Sequence, residues 1–231
     1  MNTCLPNYFD YSSYFNNNIK LFLTQSDSYW DSGYPQSRKN KIAETFNLGD
    51  RAILTPRQVH GDSVVSVIKD SQDLECDGII YSLDSSLVGT INVADCIPIC
   101  VYDSCSQKIA LVHSGWKGTH KKIILKTINL LESMGSPRKS LKFFLGPSIR
   151  SCCYEVGRDF SEKFKIDSIF RRNKKYFVDL AIQVKSDLEE AGIPINNIMI
   201  DNLCTHDSDK CHSFRRDSKR AGRMTMVAYK A

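Results

Sequence analysis

A predicted β-hairpin with a cysteine in one strand and a histidine in the other is the feature that most constrains this chain. Residues 91–102 and 108–113 form two short apolar runs, and the polar tetrapeptide DSCS at residues 103–106 separates them. Strand-like runs joined by a short polar loop predict a hairpin. If the turn is centred on the tetrapeptide, Cys96 lies directly opposite His113, with their Cβ atoms about 4.5–5.5 Å apart. The pattern therefore predicts that both side chains can contact one metal ion.

His60, in the segment RQVHGDS, adds a second imidazole to this pair. Two imidazoles and one thiolate are ligands that Zn²⁺ prefers, and three protein ligands with an open fourth position are typical of catalytic zinc. Each residue alone has a simpler explanation, because a cysteine in an apolar strand is usually a small buried hydrophobe. Only the combination favours a metal site, with His60, Cys96 and His113 as both the ligands and the catalytic candidates.

A cysteine nucleophile is the alternative chemistry. Cys96 with His113 as its base would form a hydrolase dyad, and the vicinal pair Cys152 and Cys153 offers another nucleophile. A metal site needs both histidines neutral and converging, whereas a dyad needs only one of them. The residues by themselves leave both possibilities open.

Composition narrows the class of protein. The chain has 231 residues, of which 42% are hydrophobic and 25% are charged, as in an ordinary globular protein. Because it shows no secretory h-region and no apolar run of about 18 residues, we expect no membrane span. Nine cysteines are an odd number without regular spacing, which favours reduced thiols and a cytoplasmic location.

Strand-like segments alternate with helical ones along the chain. Besides the hairpin, the strand candidates are residues 63–70, 77–81, 141–145, 195–200 and 224–229. The helix candidates are residues 119–134, 158–165 and 179–191. These elements predict one α/β or α+β domain over residues 1–231. Residues 1–50 show the weakest pattern.

Two basic segments are candidates for binding an anion. GWKGTHKK places Lys117 between a strand and a helix start, where phosphate is favoured, although a tight turn with Trp116 in the core explains the same segment. SFRRDSKRAGR contains five cations, among them Arg216, and arginine can bind phosphate through two hydrogen bonds. A solvated surface is the commoner explanation of such a run, and no nucleic-acid-binding motif accompanies it. We therefore take Lys117 and Arg216 as substrate-binding candidates and expect no nucleic-acid partner.

One further loop, CTHDSDKCH, contains possible metal ligands. They are Cys204, His206, Cys211 and His212. Their spacing departs from the paired C-x₂-C and H-x₃₋₅-H forms of structural zinc modules. Whether this loop binds a metal stays open at the level of sequence.

Taken in order, the motifs of the chain resemble those of the laccase-domain family. They extend from about Pro56 to Val227 and are RQVHG, DGII, ADCIP, VHSGWKG, LGPSIRSCCYEVG and the tail CT…SFRRD…GRM. Members of this family were once called multicopper polyphenol oxidases and are now regarded as purine nucleoside phosphorylases. One branch is called peptidoglycan editing factor. The ordered set is far more specific than any single motif.

The resemblance implies an α/β sandwich of mixed sheets with flanking helices, related in fold to the deamidating toxins of the cytotoxic-necrotizing-factor type. It implies a zinc ion bound by His60, Cys96 and His113. It also implies phosphorolysis of adenosine, inosine, guanosine and methylthioadenosine, with adenosine deaminase activity in addition. The implied partners are small-molecule purine nucleosides and phosphate, in a monomer or homodimer. An oxidase activity has little chemical support, because five histidines cannot supply several copper sites.

Three departures from the family pattern concern the expected substrate pocket. Gln25, in the divergent N-terminal part at residues 1–50, stands where an arginine is expected. Further along the chain, Lys117 replaces a usual arginine and Ser148 replaces a usual cysteine. An exchange of arginine for lysine removes a bidentate phosphate contact. Two alternatives to the nucleoside enzyme therefore remain: a peptidoglycan-precursor editing hydrolase and a non-catalytic metal-binding protein.

Overall fold

The computed structural model describes residues 7–31, 35–69, 73–84 and 86–231. Its strands are β1 Tyr8–Asp10, β2 Ile19–Thr24, β3 Ala52–Leu54, β4 Val64–Ser66, β5 Gly78–Ser82, β6 Leu87–Val93, β7 Ile97–Asp103, β8 Lys108–Ser114, β9 Leu141–Leu145, β10 Glu155–Val156, β11 Ile169–Arg172, β12 Lys175–Val178, β13 Ile198–Ile200 and β14 Met224–Lys230. Its helices are α1 Ser28–Asp31, α2 Pro35–Thr45, α3 Trp116–His120, α4 Ile123–Ser133, α5 Arg158–Ser161, α6 Leu180–Glu190 and α7 Phe214–Asp217. Within these described ranges, no helix has both the length and the apolar character needed to cross a membrane.

The strands form two large mixed sheets and a small one. The first large sheet has the order β1-β2-β14-β6-β3, and the second has the order β13-β9-β7-β8-β5-β4. Most neighbouring strands are antiparallel, but β3 pairs with β6, β4 with β5 and β13 with β9 in parallel. The small antiparallel sheet has the order β10-β12-β11.

The two large sheets pack against each other, and the second sheet is apolar on both faces. Along β7, Cys100 and Tyr102 belong to the cluster between the sheets, whereas Ile99 and Val101 face the helices. Side chains alternate between the faces of a strand, so a strand buried on both faces needs an apolar residue at nearly every position. The first sheet contributes to the same cluster through, among others, Leu21, Ile91 and Met226.

Helices cover the outer faces of both sheets. On the second sheet, α4 and α6 bury side chains that include Ile128 and Val184, and on the first sheet Trp30 and Ile42 pack around β2, β6 and β14. The Asp179 side chain begins α6 by accepting hydrogen bonds from the first free N–H groups of the helix. This arrangement of helices around two mixed sheets confirms the predicted α/β sandwich.

The predicted hairpin exists as β7 and β8, but its register was wrong by two residues. Pro98, not Cys96, is paired with His113, and the last pair before the turn is Asp103 with Lys108. Because side chains alternate, a shift of two residues keeps each side chain on its expected face of the sheet. Cys96 therefore lies just before β7, on the same side as His113 and diagonally across from it.

The turn itself explains the shift in register. Asp103 accepts hydrogen bonds from the N–H groups of Cys105 (3.0 Å) and Ser106 (3.2 Å), and Gln107 adopts a left-handed conformation with φ 50°. An aspartate that accepts from the next N–H groups starts the turn at its own position. The loop therefore comprises residues 104–107, one position later along the chain than predicted.

The apolar run at residues 91–102 is not a single strand. Its first residues end β6 in the first sheet, and residues from Ile97 onward belong to β7 in the second sheet. The chain crosses between the sheets at Ala94, Asp95 and Cys96, where Asp95 has φ 83°. The predicted ligand Cys96 therefore lies at a crossover between the sheets and not within a strand.

Four other predicted elements are shorter than expected. Of the strand predicted at 63–70, only β4 forms, and the last residue of that prediction lies outside the described residues. The helix predicted at 119–134 is divided into α3 and α4 because Lys122 is left-handed, with φ 60°. The prediction at 158–165 yields only α5, and that at 195–200 yields β13 after a turn of 3₁₀ helix.

Candidate metal centre

His60, Cys96 and His113 come together where the chain crosses between the sheets. One ring nitrogen from each histidine and the Cys96 sulfur all lie within 4.8 Å of one another. His113 comes from β8 and is only 3% exposed, Cys96 from the crossover is half-buried, and His60 from the loop between β3 and β4 is exposed. The three donors therefore form a group with a buried inner side and an accessible outer side.

Asp77, directly before β5, positions two of these three residues. Its buried carboxylate accepts hydrogen bonds from the N–H groups of His60 (3.0 Å), Gly61 (2.6 Å) and Val59 (3.3 Å). Nδ1 of His113 lies 2.8 Å from Asp77 Oδ1. Because an ionised carboxylate only accepts, this Nδ1 carries the proton, and Nε2 is the nitrogen available to a metal. One side chain thus fixes both the His60 loop and the tautomer of His113.

Glycines allow the backbone to approach the centre closely. A Cβ atom on Gly115 would lie 2.8 Å from the Cys96 sulfur, which is nearer than side-chain atoms normally come. A Cβ atom on Gly118 would lie 3.0 Å from the Gly61 carbonyl oxygen, so α3 also packs tightly on the His60 loop. The glycines of the GWKG segment therefore serve the packing of the centre.

The electrostatics of the centre suit a metal ion. Burial by itself would raise the pKa of the Cys96 thiol, but the imidazoles of His113 and His60 outweigh it and bring the pKa to about 7. Burial would lower the pKa of His113, but the carboxylate of Asp77 and the sulfur of Cys96 raise it to about 9. Burial likewise opposes ionisation of Asp77, yet its bond to His113 holds the pKa of that carboxyl below its usual value. An acidic thiol beside two imidazoles is a donor set that a divalent cation binds by displacing protons.

The three side chains open onto a cavity of about 720 Å³. Its wall combines aromatic rings with a few polar and charged groups. The aromatic residues are Trp116, Tyr154 and Phe214, and the polar and charged ones include Gln58, Asn92, Asp95, Arg215 and Arg223. Small-molecule sites have volumes of about 300–1,000 Å³ and this mixed composition. The geometry is that of a binding site with the three donors in its wall.

Asp95, next to Cys96, ties two loops to this cavity. Its buried carboxylate accepts hydrogen bonds from Thr205 Oγ1 (2.6 Å) and the Arg215 N–H (2.7 Å). Its carbonyl oxygen accepts from the Ile149 N–H (3.0 Å). Asp95 therefore positions segments of the cavity wall.

Two adjacent arginines have different environments. The Arg215 guanidinium lies 5.0 Å from the centroid of the Tyr154 ring and lines the cavity. The Arg216 guanidinium forms an ion pair with Asp217 and donates to the carbonyl groups of Thr205, His206, Ser208 and Cys211. Its donors are used within the protein, and it is not among the described residues of the cavity wall. The structure therefore separates Arg216, a substrate candidate of the sequence analysis, from the cavity.

Lys117, the other substrate candidate, is exposed on α3. Its Nζ atom lies 5.7 Å from the centroid of the Trp116 ring, and Trp116 itself lines the cavity. Lys117 is not part of the described cavity wall. The structure thus places the tryptophan of the GWKG segment at the site and its lysine outside.

The loop with Cys204, His206, Cys211 and His212 does not form a metal site of its own. No three of these four side chains form a ligand group within the part of the chain that the structure describes. His212 instead pairs with Asp31 through Nε2 at 2.6 Å, while Cys211 is buried. Cys204 lies in a second group with Cys152 and Cys153.

Asp77, Tyr154 and Arg215 belong to the site but were not predicted from the sequence. Asp77 stands in the quoted DGII segment, and a carboxylate directly before a buried strand was an available signal. Tyr154 directly follows the vicinal cysteines, and Arg215 directly precedes the predicted substrate residue Arg216. No pattern in the chain distinguishes Arg215 from Arg216, because their difference arises from tertiary contacts.

The sequence of this chain matches that of a known protein family. Residues 35–230 match the family described as multi-copper polyphenol oxidoreductase laccase. This chain therefore belongs to the laccase-domain family, as the order of its motifs predicted. In fold it is similar to a solved Bacillus licheniformis protein titled hypothetical protein YfiH, with a TM-score of 0.86 and 22% identity over 98% of this chain and 97% of that one.

Several curated relatives of this chain are named as particular enzymes. A purine nucleoside phosphorylase of Borreliella burgdorferi is 40% identical over 209 residues, which cover 86% of this chain and 82% of the relative. Another of Clostridium acetobutylicum is 35% identical over 192 residues, which cover 79% and 78%. Adenosine deaminase RL5, from an unknown prokaryotic organism, is 28% identical over 197 residues, which cover 77% and 75%. These relatives support an enzyme that processes nucleosides.

Proposed function

We propose that this protein is a zinc-dependent purine nucleoside phosphorylase that acts on adenosine, inosine, guanosine and methylthioadenosine and also deaminates adenosine. The observation that carries the proposal is the convergence of His60, Cys96 and His113 on a cavity large enough for a nucleoside. The names of the relatives support the same reactions.

The donor set favours zinc among the divalent metals, because one thiolate and two imidazoles match its preferences. His60, Cys96 and His113 would hold the ion. When bound, zinc supplies Lewis acidity and lowers the pKa of a water molecule toward neutrality, as deamination of adenosine requires. Asp77 keeps His113 in the tautomer whose Nε2 faces the other two donors.

For phosphorolysis, the cavity wall offers groups for each part of the substrates. Tyr154 and Phe214 provide apolar faces on which a purine can stack. Arg215 and Arg223 provide guanidinium groups that can bind phosphate through paired hydrogen bonds. A phosphate oxygen forms a bond to the sugar C1′ while the bond from C1′ to the base nitrogen breaks, and the departing base takes up a proton. The wall would hold the two substrates in line for this exchange.

The test is the release of hypoxanthine and ribose 1-phosphate from inosine by the zinc-loaded protein. We expect product only when phosphate is present, and no turnover in a Cys96→Ala, His113→Ala double variant. The matched control is a Cys105→Ala, His120→Ala double variant, since these two residues are exposed and lie outside the cavity wall. Unchanged turnover in the first variant would overturn the proposal.

Three further outcomes separate the alternatives. Turnover by a protein that holds no metal at this centre would favour a dyad of Cys96 with His113. Release of an amino acid from a UDP-linked muropeptide, without turnover of nucleosides, would favour the peptidoglycan-precursor editing hydrolase. Zinc binding without any turnover would favour a non-catalytic protein.

A further inference from the structure

Three cysteine sulfur atoms converge at a second place in the protein, outside the cavity wall. The Sγ atoms of Cys152, Cys153 and Cys204 all lie within 4.8 Å of one another. Thiolates that share a tetrahedral zinc ion at Zn–S distances of about 2.3 Å are about 3.8 Å apart. The observed grouping is compatible with that spacing.

The backbone brings these sulfur atoms together from two distant segments. Cys152 and Cys153 lie in a turn before β10, and Cys204 follows β13. A parallel bridge pairs Ser148 with Cys204, and the Arg150 N–H donates to the Cys204 sulfur at 3.4 Å. An N–H group directed at sulfur stabilises a thiolate, as in sites where outer hydrogen bonds orient metal ligands. The position of Cys204 relative to the turn is therefore determined by backbone contacts.

The three thiols differ in exposure in a way that suits ion entry. Cys204 is buried, Cys153 is half-buried and Cys152 is exposed. A disulfide could use only two of the three sulfur atoms, and a bond between the vicinal pair would violate ordinary disulfide geometry. A single metal ion, in contrast, can use all three.

We propose that Cys152, Cys153 and Cys204 bind one thiophilic metal ion, such as Zn²⁺ or Cd²⁺, through three sulfur ligands. Each thiol that binds releases its proton to solvent, so uptake of one ion releases up to three protons and consumes no oxidant. This site does not rest on the proposed nucleoside activity and has no ligand in common with the first centre.

An ion at this position would join two segments of the cavity wall. The turn with Cys152 and Cys153 leads directly to Tyr154, and the segment after Cys204 leads to Arg215. Asp95 already bonds to both segments. The ion would therefore stabilise the side of the cavity that carries the stacking and cationic groups.

The test is a cadmium titration of the reduced, metal-free, full-length protein, followed by thiolate-to-cadmium absorbance and by elemental analysis. The wild-type chain should bind two equivalents, with one thiolate in the first centre and three in the second. Cys204→Ser should lose one equivalent and about three quarters of the absorbance, since three of the four thiolates belong to this site. Cys96→Ser should lose the other equivalent, so failure of one centre can be distinguished from failure of the other.

Because Cys204 is buried, the exposed residue Cys152 provides a variant that spares the core. Cys152→Ser should weaken binding of this ion by about 10-fold or more, within the range for altered metal sites. Cys105→Ser, which removes an exposed cysteine outside both groups, should bind as the wild type does. Cadmium binding that Cys96→Ser abolishes and Cys204→Ser leaves unchanged, or full binding by Cys152→Ser, would overturn the proposal.

Discussion

Two groups in this protein each bring three possible metal ligands close together. The first is the centre formed by His60, Cys96 and His113, and the second is the cysteine group formed by Cys152, Cys153 and Cys204. They differ in what holds the side chains. The first centre is built where the chain crosses between two sheets, and the buried carboxylate of Asp77 holds it. The second joins two loops, and a backbone N–H is the contact that supports its buried sulfur.

This difference indicates different roles. Under the proposed function, a centre in the wall of a cavity, with a fixed tautomer and an exposed outer side, would present an open metal position to a ligand. Under the further proposal, an ion bound by the all-sulfur group would link two chain segments. Variants that affect one group and spare the other therefore test whether the two sites are independent.

The largest effect is expected from Asp77→Asn. The side-chain amide of the asparagine places an NH₂ group near the backbone N–H groups that now donate to the Asp77 carboxylate. The uncharged side chain also no longer fixes the tautomer of His113. Loss of such a partner lowers metal affinity or activity by about 10–100-fold. Metal content and inosine turnover should both fall, while the cysteine group keeps its cadmium. Asp84→Asn, at an exposed carboxylate paired with Lys230, is the control and should change neither. Full turnover in Asp77→Asn would contradict the assigned role.

A smaller effect is expected from Arg215→Lys, which changes a side chain of α7 in the cavity wall. Lysine cannot form the paired hydrogen bonds of a guanidinium, so the KM for phosphate should rise by about 10-fold, equivalent to about 1.4 kcal/mol. Both metal equivalents should remain.

The neighbouring Arg216→Lys provides the contrast. It should leave the KM for phosphate unchanged and lower the free energy of unfolding by about 1–3 kcal/mol, because the Arg216 guanidinium in α7 bonds to carbonyl groups of the preceding loop. Urea unfolding and initial-rate kinetics measure the two effects. If Arg216→Lys raised the KM and Arg215→Lys did not, the original assignment from sequence would be restored.

The smallest effect on the two groups is expected from Asp103→Asn, at the turn of the hairpin that carries His113. Burial by itself would raise the pKa of Asp103, but hydrogen bonds from Ser106 and Ser140 hold it below its usual value. Its stabilising contribution is therefore present above the unfolded pKa of about 4 and is lost as the pH falls through the lower folded pKa.

For Asp103→Asn, we expect a loss of about 1–3 kcal/mol in the free energy of unfolding at pH 7. The difference from the wild type should begin to shrink as the pH falls below about 4, because the unfolded chain then binds the Asp103 proton more strongly than the folded chain does. Urea titrations at pH 7 and at about pH 3 check this, and metal content should not change. A difference that grows toward acid would contradict the role of the Asp103 carboxylate.

Several elements were predictable from the sequence because local patterns determine them. Residues 141–145 form β9 as predicted, and the helix predicted over 179–191 is α6 with its two cap residues. The convergence of Cys96 and His113 was anticipated even though the register was wrong. Side-chain direction repeats every two residues, so an error of two residues leaves the facing side unchanged.

Other features could not be predicted because they depend on contacts between distant segments. The division of the apolar run into β6 and β7 arises because two sheets meet there, and nothing in the run itself marks the crossover. The contrast between Arg215 and Arg216 arises from which carbonyl groups surround each guanidinium. The grouping of Cys204 with Cys152 and Cys153 requires the bridge from Ser148.

The sequence by itself determined the family, the fold class and the three candidate donors His60, Cys96 and His113, because ordered motifs and strand periodicity are properties of the linear chain. Only the tertiary structure showed that Asp77 holds this centre, that Arg215 faces the cavity, and that three cysteines meet at a second group. Each of these depends on backbone segments far apart in sequence, and their relative positions are determined only when the two sheets pack.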